Sequence, residues 1–464
     1  MGYEFVVDGS VLKRFKKDTD EILEVVEIPA GIEKIDKYAF SSCRKIKSVV
    51  MPSSVTEIGT EAFWGCEDMT SISIGDNVRK IGNNAFYNCK SLKSVVLPDS
   101  VTSIGTGAFS GCESLREIVL PQGLTGIRES TFSGCVGLEK LYIPDKVKKI
   151  ENAAFWWCSN LETIIVGKKN KKYDSRNDCN AIIETETNTL ILGCRNTVIP
   201  QGVIEIGKRA FYECSSLHDL YIPDSVGLIA SDSFTGCGNL DSITVDQGNK
   251  YYDSRNTCNA IIETATNTLI LGCKNTTTPD TITAIGPYAF SNCSGMVEIA
   301  IPNSVTVIGR GAFQNCVNLK KVDLPERISI ICDNTFSQCK KLESVTMPKG
   351  IISIGQGAFQ GCLCLKEVDF GESLELVADS SFSDCKSLSK LIFPGSIKEI
   401  EMRAFRGCNS ITEITFDPKT EGLYFRKGQS PFYGVDSLKT INAPIGGVNW
   451  DNGVFSNDIT VNWF

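Results

Sequence analysis

Twenty cysteines and one histidine set the chemistry that this 464-residue chain could perform. Cysteines in that number would form a disulfide framework in an exported protein or ligate zinc in paired clusters. Zinc is disfavoured, because no Cys-x-x-Cys pair occurs and His218 is the only imidazole. His218 would also have to serve any Ser-His-Asp or Cys-His site. It follows Leu217 at a place held in other parts of the chain by Lys93, Arg116 and Glu139, which reads as a variable, solvent-facing position. Glu367 and Asp369 could be imagined as the paired acids of glycoside hydrolysis. Two residues apart on a strand, they would merely share its outer face. No glycine-rich phosphate loop follows a strand in the required context. The expectation is a chain without catalytic residues, metal or cofactor.

The spacing of the cysteines explains most of them. Fourteen end the phrase Ala-Phe-x-x-Cys or a close variant, whose phenylalanines fall at Phe40, Phe63, Phe86, Phe109, Phe132 and Phe155, then Phe211 and Phe234, then Phe290, Phe313, Phe336, Phe359, Phe382 and Phe405. The step is 23 residues within each group and 56 between groups. A unit of 23 residues cannot bury its own apolar face and must stack on neighbours, so the phrase implies one long array. A cysteine at the same place in every rung reads as a packing position for a small, readily buried side chain. Rungs stacked about 4.8 Å apart would still lie within disulfide reach.

Leu92 to Cys112 shows the unit. Val95 and Leu97 alternate and Pro98 follows, predicting a short strand that points these two residues inward and Ser94 and Val96 outward. Asp99 and Ser100 make a turn, and Val101 and Ile104 supply a second extended piece, punctuated by Gly105. Other copies hold Arg128, Glu151, Ala230, Cys332 or Glu401 at the glycine position, so no left-handed backbone is required there. Ala108, Phe109 and Cys112 lie at helical spacing and predict one helical or 3₁₀ turn with three buried groups. The residue before phenylalanine is always small, as at Thr131 and Ser233.

The pattern Leu-x-x-Val-x-Leu-Pro, then Val-x-x-Ile-Gly-x-x-Ala-Phe-x-x-Cys-x-x-Leu, resembles the BspA-like leucine-rich repeat family over roughly residues 20 to 416. The resemblance implies a leucine-rich-repeat solenoid: a curved, right-handed superhelix of short parallel β-strands with short helical or 3₁₀ turns and little regular helix. It also implies a protein displayed on the surface of anaerobic bacteria or some protozoa and associated with adhesion to host matrix proteins and other microbes. No catalytic residues accompany it.

The chain then divides into an N-terminal hairpin cap (1–28), the repeat array (29–416) and a C-terminal cap (417–464), all one continuous domain. Hairpin-type insertions at about 167–199 and 246–278 are near copies of one another, and they bind ligand or only shape curvature. In them Cys179 is expected across from Cys194, and Cys258 across from Cys273, which makes these four the best disulfide candidates. The N-terminal hairpin, Tyr3 to Phe15, covers one open end of the stack and suggests that little domain sequence precedes it.

Net charge is −8, which argues against nucleic acid and anionic membranes as partners. The clusters Lys13-Arg14 with Lys16-Lys17, and Lys168-Lys169 with Lys171-Lys172, read as solvated turns. No run of roughly 18 apolar residues would insert in a membrane. The N-terminus carries no signal peptide, so the protein is intracellular or its signal was removed. Function is sought where the copies differ. Following the Val96 position gives Val50, Ser73, Val96, Val119, Tyr142, Ile165, Tyr221 and Thr244, then the more polar Ala300, Asp323, Thr346, Asp369, Ile392 and Thr415. The early apolar column, Val50, Val96, Val119, Tyr142, Ile165 and Tyr221, is the candidate surface for a protein or glycan partner. The alternative is ordinary packing between β-forming neighbours. The function expected is a non-enzymatic, monomeric, adhesin-like scaffold at the cell surface or outside the cell. An intracellular interaction scaffold is the alternative, and a glycan-active enzyme a remote one.

Overall fold

The computed structural model describes residues 3–17, 21–425, 428, 430–451, 454–455 and 458–464. Met1-Gly2 and 18–20 of the predicted N-terminal cap, and parts of the predicted C-terminal cap, lie outside them. The chain winds into a parallel β-solenoid with almost no helix. Contacts gather it into two units, the first running to Leu217 and including Leu228–Phe234, the second holding His218–Gly227 and Thr235–Phe464.

In the first unit each coil contributes two short strands, which stack in two ladders. One ladder is a seven-stranded parallel sheet of Val26–Glu27, Ser48–Val50, Ser71–Ser73, Ser94–Val96, Glu117–Val119, Lys140–Ile143 and Thr163–Val166. Val95 and Leu97 are buried and Val96 is exposed, as alternation predicts. The other ladder opens with the antiparallel hairpin Tyr3–Asp8 and Val11–Lys17 and continues in parallel through Lys34–Ile35, Glu57–Ile58, Lys80–Ile81 and Ser103–Ile104. The second unit repeats this plan. Its last residues carry further parallel rungs, Thr440–Ala443 and Thr460–Trp463, and place Phe432 5.5 Å from Phe405 in the phenylalanine column.

Phenylalanine stacking holds the coils in register. From Phe15 through Phe155 successive rings lie 4.8 to 5.6 Å apart and nearly parallel. The rings from Phe290 to Phe405 do the same in the second unit. These side chains are almost all fully buried and form the spine of each core.

The expected helical turn around each phenylalanine takes a different form. Bonds between residues three apart do occur, with Ala62 N–H donating to Gly59, Trp64 to Glu61 and Cys66 to Phe63. The residues two before and two after phenylalanine are left-handed, however, as at Glu61 (φ 54°) and Gly65 (φ 67°), or Arg209 (φ 58°) and Glu213 (φ 56°). Successive tight turns therefore replace a helix, and their remaining N–H groups reach the next coil, Phe40 to Ala62 at 2.7 Å and Ser42 to Trp64 at 2.6 Å. Gly105 has no left-handed backbone, in keeping with its variability. It is there for space, since a Cβ would lie 2.5 Å from the Asn83 nitrogen.

Each insertion forms the expected hairpin, Ala181–Glu184 with Thr189–Gly193 and Ala260–Glu263 with Thr268–Gly272. The hairpin inserts a short rung in which Gly193 N–H donates to Ala210 and Gly272 N–H to Ala289, the bond a phenylalanine makes elsewhere. Glycine is needed here because the next ring fills its space. A Cβ on Gly193 would lie 2.2 Å from the Phe211 ring, and one on Gly272 2.1 Å from Phe290. Gly193→Ala is expected to lower unfolding free energy by about 1–3 kcal/mol through overpacking. Adding Phe211→Leu should recover much of that loss in a double-mutant cycle followed by urea denaturation. Additive losses would show that the contact is not the cause.

Candidate functional site

The outer face of the seven-stranded sheet brings most of the predicted column together. Register places Val50 opposite Ser73, Ser73 opposite Val96, Val96 opposite Val119, and Tyr142 opposite Ile165. Val96 is 79 % exposed, Val119 55 % and Ile165 50 %, while Tyr142 is half-buried. The flanking outward row, Ser48, Ser71, Ser94, Glu117, Lys140 and Thr163, is polar. Tyr221 is not in this sheet. It lies in the second unit on a two-stranded sheet, opposite Thr244, and its hydroxyl donates to the Asp246 carboxylate. That bond holds the Tyr221 pKa above the usual phenol value, and holds Asp246 below the usual carboxylate value.

The cysteines are thiols. Those of the repeated phrase do more than fill space. The Cys89 thiol donates to the Phe63 carbonyl of the preceding coil at 3.2 Å, and Cys66, Cys112, Cys135 and Cys158 make the same bond at 3.1 to 3.3 Å. Cys316, Cys339, Cys362, Cys385 and Cys408 repeat it in the second unit. Each such carbonyl thus accepts one N–H from its own coil and one S–H from the next. Burial pushes the Cys135 thiol up to about 12 and raises Cys112 and Cys316 well above the ordinary value. A buried, protonated thiol is a poor nucleophile.

The four hairpin cysteines do not pair as expected. With Ala181 opposite Gly193, the hairpin register puts Cys194 across from Asn180, one residue away from Cys179. Cys194 instead donates to the Glu162 and Asn180 carbonyls, both at 3.3 Å. In the copy, Ala260 faces Gly272, and Cys273 contacts the Asp241 and Asn259 carbonyls while Cys258 stays apart.

His218 is exposed and its Nδ1 lies 2.8 Å from Asp241, which also pairs with Lys274 at 2.5 Å. The lysine first, and the histidine second, hold the Asp241 carboxyl below its usual range. Glu367 and Asp369 line one open groove with Ile392 and Phe464, in a rung without strand pairing, and Asp369 accepts the Gly371 N–H at 3.0 Å. Among the described residues no cluster of three metal-binding side chains forms, and no helix is long and apolar enough to cross a membrane. The basic clusters are partly neutralised by Lys13 with Asp36 and by Lys172 with Glu184 and Glu186, all at 3.0 Å.

The repeat geometry agrees with the sequence comparison. The BspA type leucine-rich repeat region matches in overlapping stretches at 15–98, 79–187, 182–268, 261–389 and 329–462. The chain belongs to this family. None of the curated proteins compared with it matches. Among solved structures it is similar to a leucine-rich cell surface protein of Faecalibacterium prausnitzii at 24 % identity, covering 90 % of this chain and 93 % of that one, with a TM-score of 0.45. A leucine-rich repeat protein of Eubacterium ventriosum gives 23 % identity, 88 % and 92 % coverage, and a TM-score of 0.46. One from Bacteroides ovatus gives 21 %, 100 % and 97 %, and 0.35.

In this BspA type array the sequence reasoning passed over Trp156, Trp157 and Tyr212. The signal was available: most other copies hold Ser, Gln or Thr directly after phenylalanine, with Trp64, Tyr87 and Arg406 as exceptions, and mostly Gly or Asn one residue later. Two adjacent tryptophans in those places stand out as strongly as the column on the strands.

Proposed function

We propose that the protein is a non-enzymatic, adhesin-like scaffold displayed at the cell surface, which binds a protein partner through the outer face of its seven-stranded sheet. The observation that carries this reading is the exposed apolar column of Val96, Val119 and Ile165 beside a polar row. An exposed apolar strip bounded by polar groups is suited to protein contact. Family membership supports a scaffold role, because function in such arrays resides in the variable outward positions. The test is a binding screen of the purified chain against host matrix proteins and microbial surface proteins, followed by Val96→Thr with Val119→Thr and Ile165→Thr. Threonine keeps β-propensity, so the melting temperature should hold while affinity falls by about tenfold or more. Unchanged affinity would remove the strand face from consideration.

The ladder of buried cysteines donating to carbonyls of the preceding coil favours a second reading, an intracellular interaction scaffold in a reducing compartment. Labelling intact cells with a membrane-impermeant amine reagent separates the two readings. Modification supports display, and protection supports an internal location.

A further inference from the structure

The turn edge of the first unit carries a second unusual surface. Trp156 and Trp157 meet edge to face at 6.0 Å, and both contact Tyr212, at 5.5 and 5.7 Å. The Arg209 guanidinium lies over Trp156 at 4.3 Å and Tyr212 at 5.4 Å. Trp157 remains 44 % exposed and has a left-handed backbone, φ 58°. Every coil takes that conformation at this position, as at Gly65 and Glu213, so the fold imposes the backbone and the tryptophan is a choice of side chain. Beside the cluster runs a groove of about 580 Å³, lined by Trp156 and Arg209 together with Glu129, Glu151, Glu205 and Lys208.

The second insertion serves as an internal control. It has the same hairpin register and the same internal bonds, Arg255 to Asp253 matching Arg176 to Asp174, and Asn249 to the Pro223 carbonyl matching Asn170 to the Pro144 carbonyl. Where the first insertion is flanked by Trp156, Trp157, Arg209 and Tyr212, the second has Thr235, Gly236, Tyr288 and Ser291. Holding an insertion in place therefore does not require the aromatic cluster.

We propose that Trp156, Trp157 and Tyr212, with Arg209, form a carbohydrate-binding site that stacks a neutral sugar ring on the exposed indole of Trp157. The C–H face of a pyranose is apolar and flat, and its rim hydroxyls both donate and accept. An aromatic wall beside charges of both signs meets those needs without demanding charge on the ligand. Glu129, Glu151 and Glu205, with Lys208, line the groove beside Trp156 and Arg209, supplying acceptors and a donor suited to a hydroxyl-rich ligand.

The test titrates the full chain with hexasaccharides of glucose, N-acetylglucosamine, mannose and galactose, followed by tryptophan fluorescence and calorimetry. At least one is expected to bind saturably with a Kd of about 1 mM or tighter. Trp157→Gly, which installs the residue of the second insertion, should weaken that binding by about tenfold or more without lowering the melting temperature, because glycine suits the backbone. Tyr212→Ser should weaken it too, and Trp64→Ser, at the other exposed indole of this edge, should not. Absence of saturable binding to all four sugars would overturn the proposal. So would equal affinity in Trp157→Gly, or a protein ligand lost in that variant without any sugar response. The threonine variants of the strand face should leave sugar binding intact, so the two readings fail separately.

Discussion

Raising the pH from about 8 to about 10.5 is expected to unfold the protein under reducing conditions. The buried thiols are the cause. Their ordinary value is 9.0, and burial raises Cys135 and Cys339 to about 12 and Cys66, Cys112, Cys158, Cys316, Cys362 and Cys385 well above it. Below pH 9 both states hold the proton and stability is unaffected. Above it the unfolded chain ionises while the folded chain cannot, so the unfolded state binds fewer protons and stability falls as pH rises toward 12. Each such thiol removes about 1.4 kcal/mol per pH unit, so the ladder loses on the order of 10 kcal/mol by pH 10, comparable to the stability of a whole domain. Tyrosines begin to titrate only near pH 10. Urea denaturation at pH 8, 9 and 10 with a phosphine reductant measures the slope. Cys112→Ala should make it shallower by about 1.4 kcal/mol per pH unit. A stability that is flat from pH 8 to 10 would contradict the thiol ladder.

Phe109→Ala is expected to cost about 3–5 kcal/mol, the range for a large aromatic removed from a core that cannot collapse. The Phe109 side chain is fully buried between Phe86 at 5.1 Å and Phe132 at 5.6 Å, so truncation removes two ring contacts along with the volume. The neighbours cannot close the gap, because the bonds from Phe86 N–H to Ala108 and from Phe109 N–H to Thr131 fix the coil spacing. In an array stabilised by nearest neighbours the damage should be local. Hydrogen exchange should accelerate in the coils around Phe86 and Phe132 and stay unchanged around Phe359. Uniform acceleration, or a loss below about 1 kcal/mol, would show that the column is not what holds the coils together.

The 23-residue phrase made the solenoid, the buried phenylalanines and the exposure of Val96 readable before any coordinates, because stacking forces the same residue type into every coil. The turns were less legible. The left-handed positions around phenylalanine are occupied by Tyr38, Glu61, Arg209 and Trp157 as readily as by glycine, since bonds between coils impose the backbone whatever the side chain. The mispairing of Cys179 with Cys194 arose from register. A bulge between Ile182 and Ile183 shifts the hairpin, and no composition signal marks it. The column could be read as far as Ile165, but the insertion that follows ends its sheet, and Tyr221 starts another.

The thiol ladder has a further consequence for the order of events in the life of the chain. Before folding, the cysteines of consecutive coils are separated by closed loops of 23 residues, short enough to join readily under an oxidant. Such a crosslink would occupy the sulfurs that must become donors to the Phe63, Phe86 and Phe109 carbonyls. Once coiled, the same sulfurs are sealed from oxidants by burial. The fold thus protects its own cysteines, but only if it forms before they are oxidised.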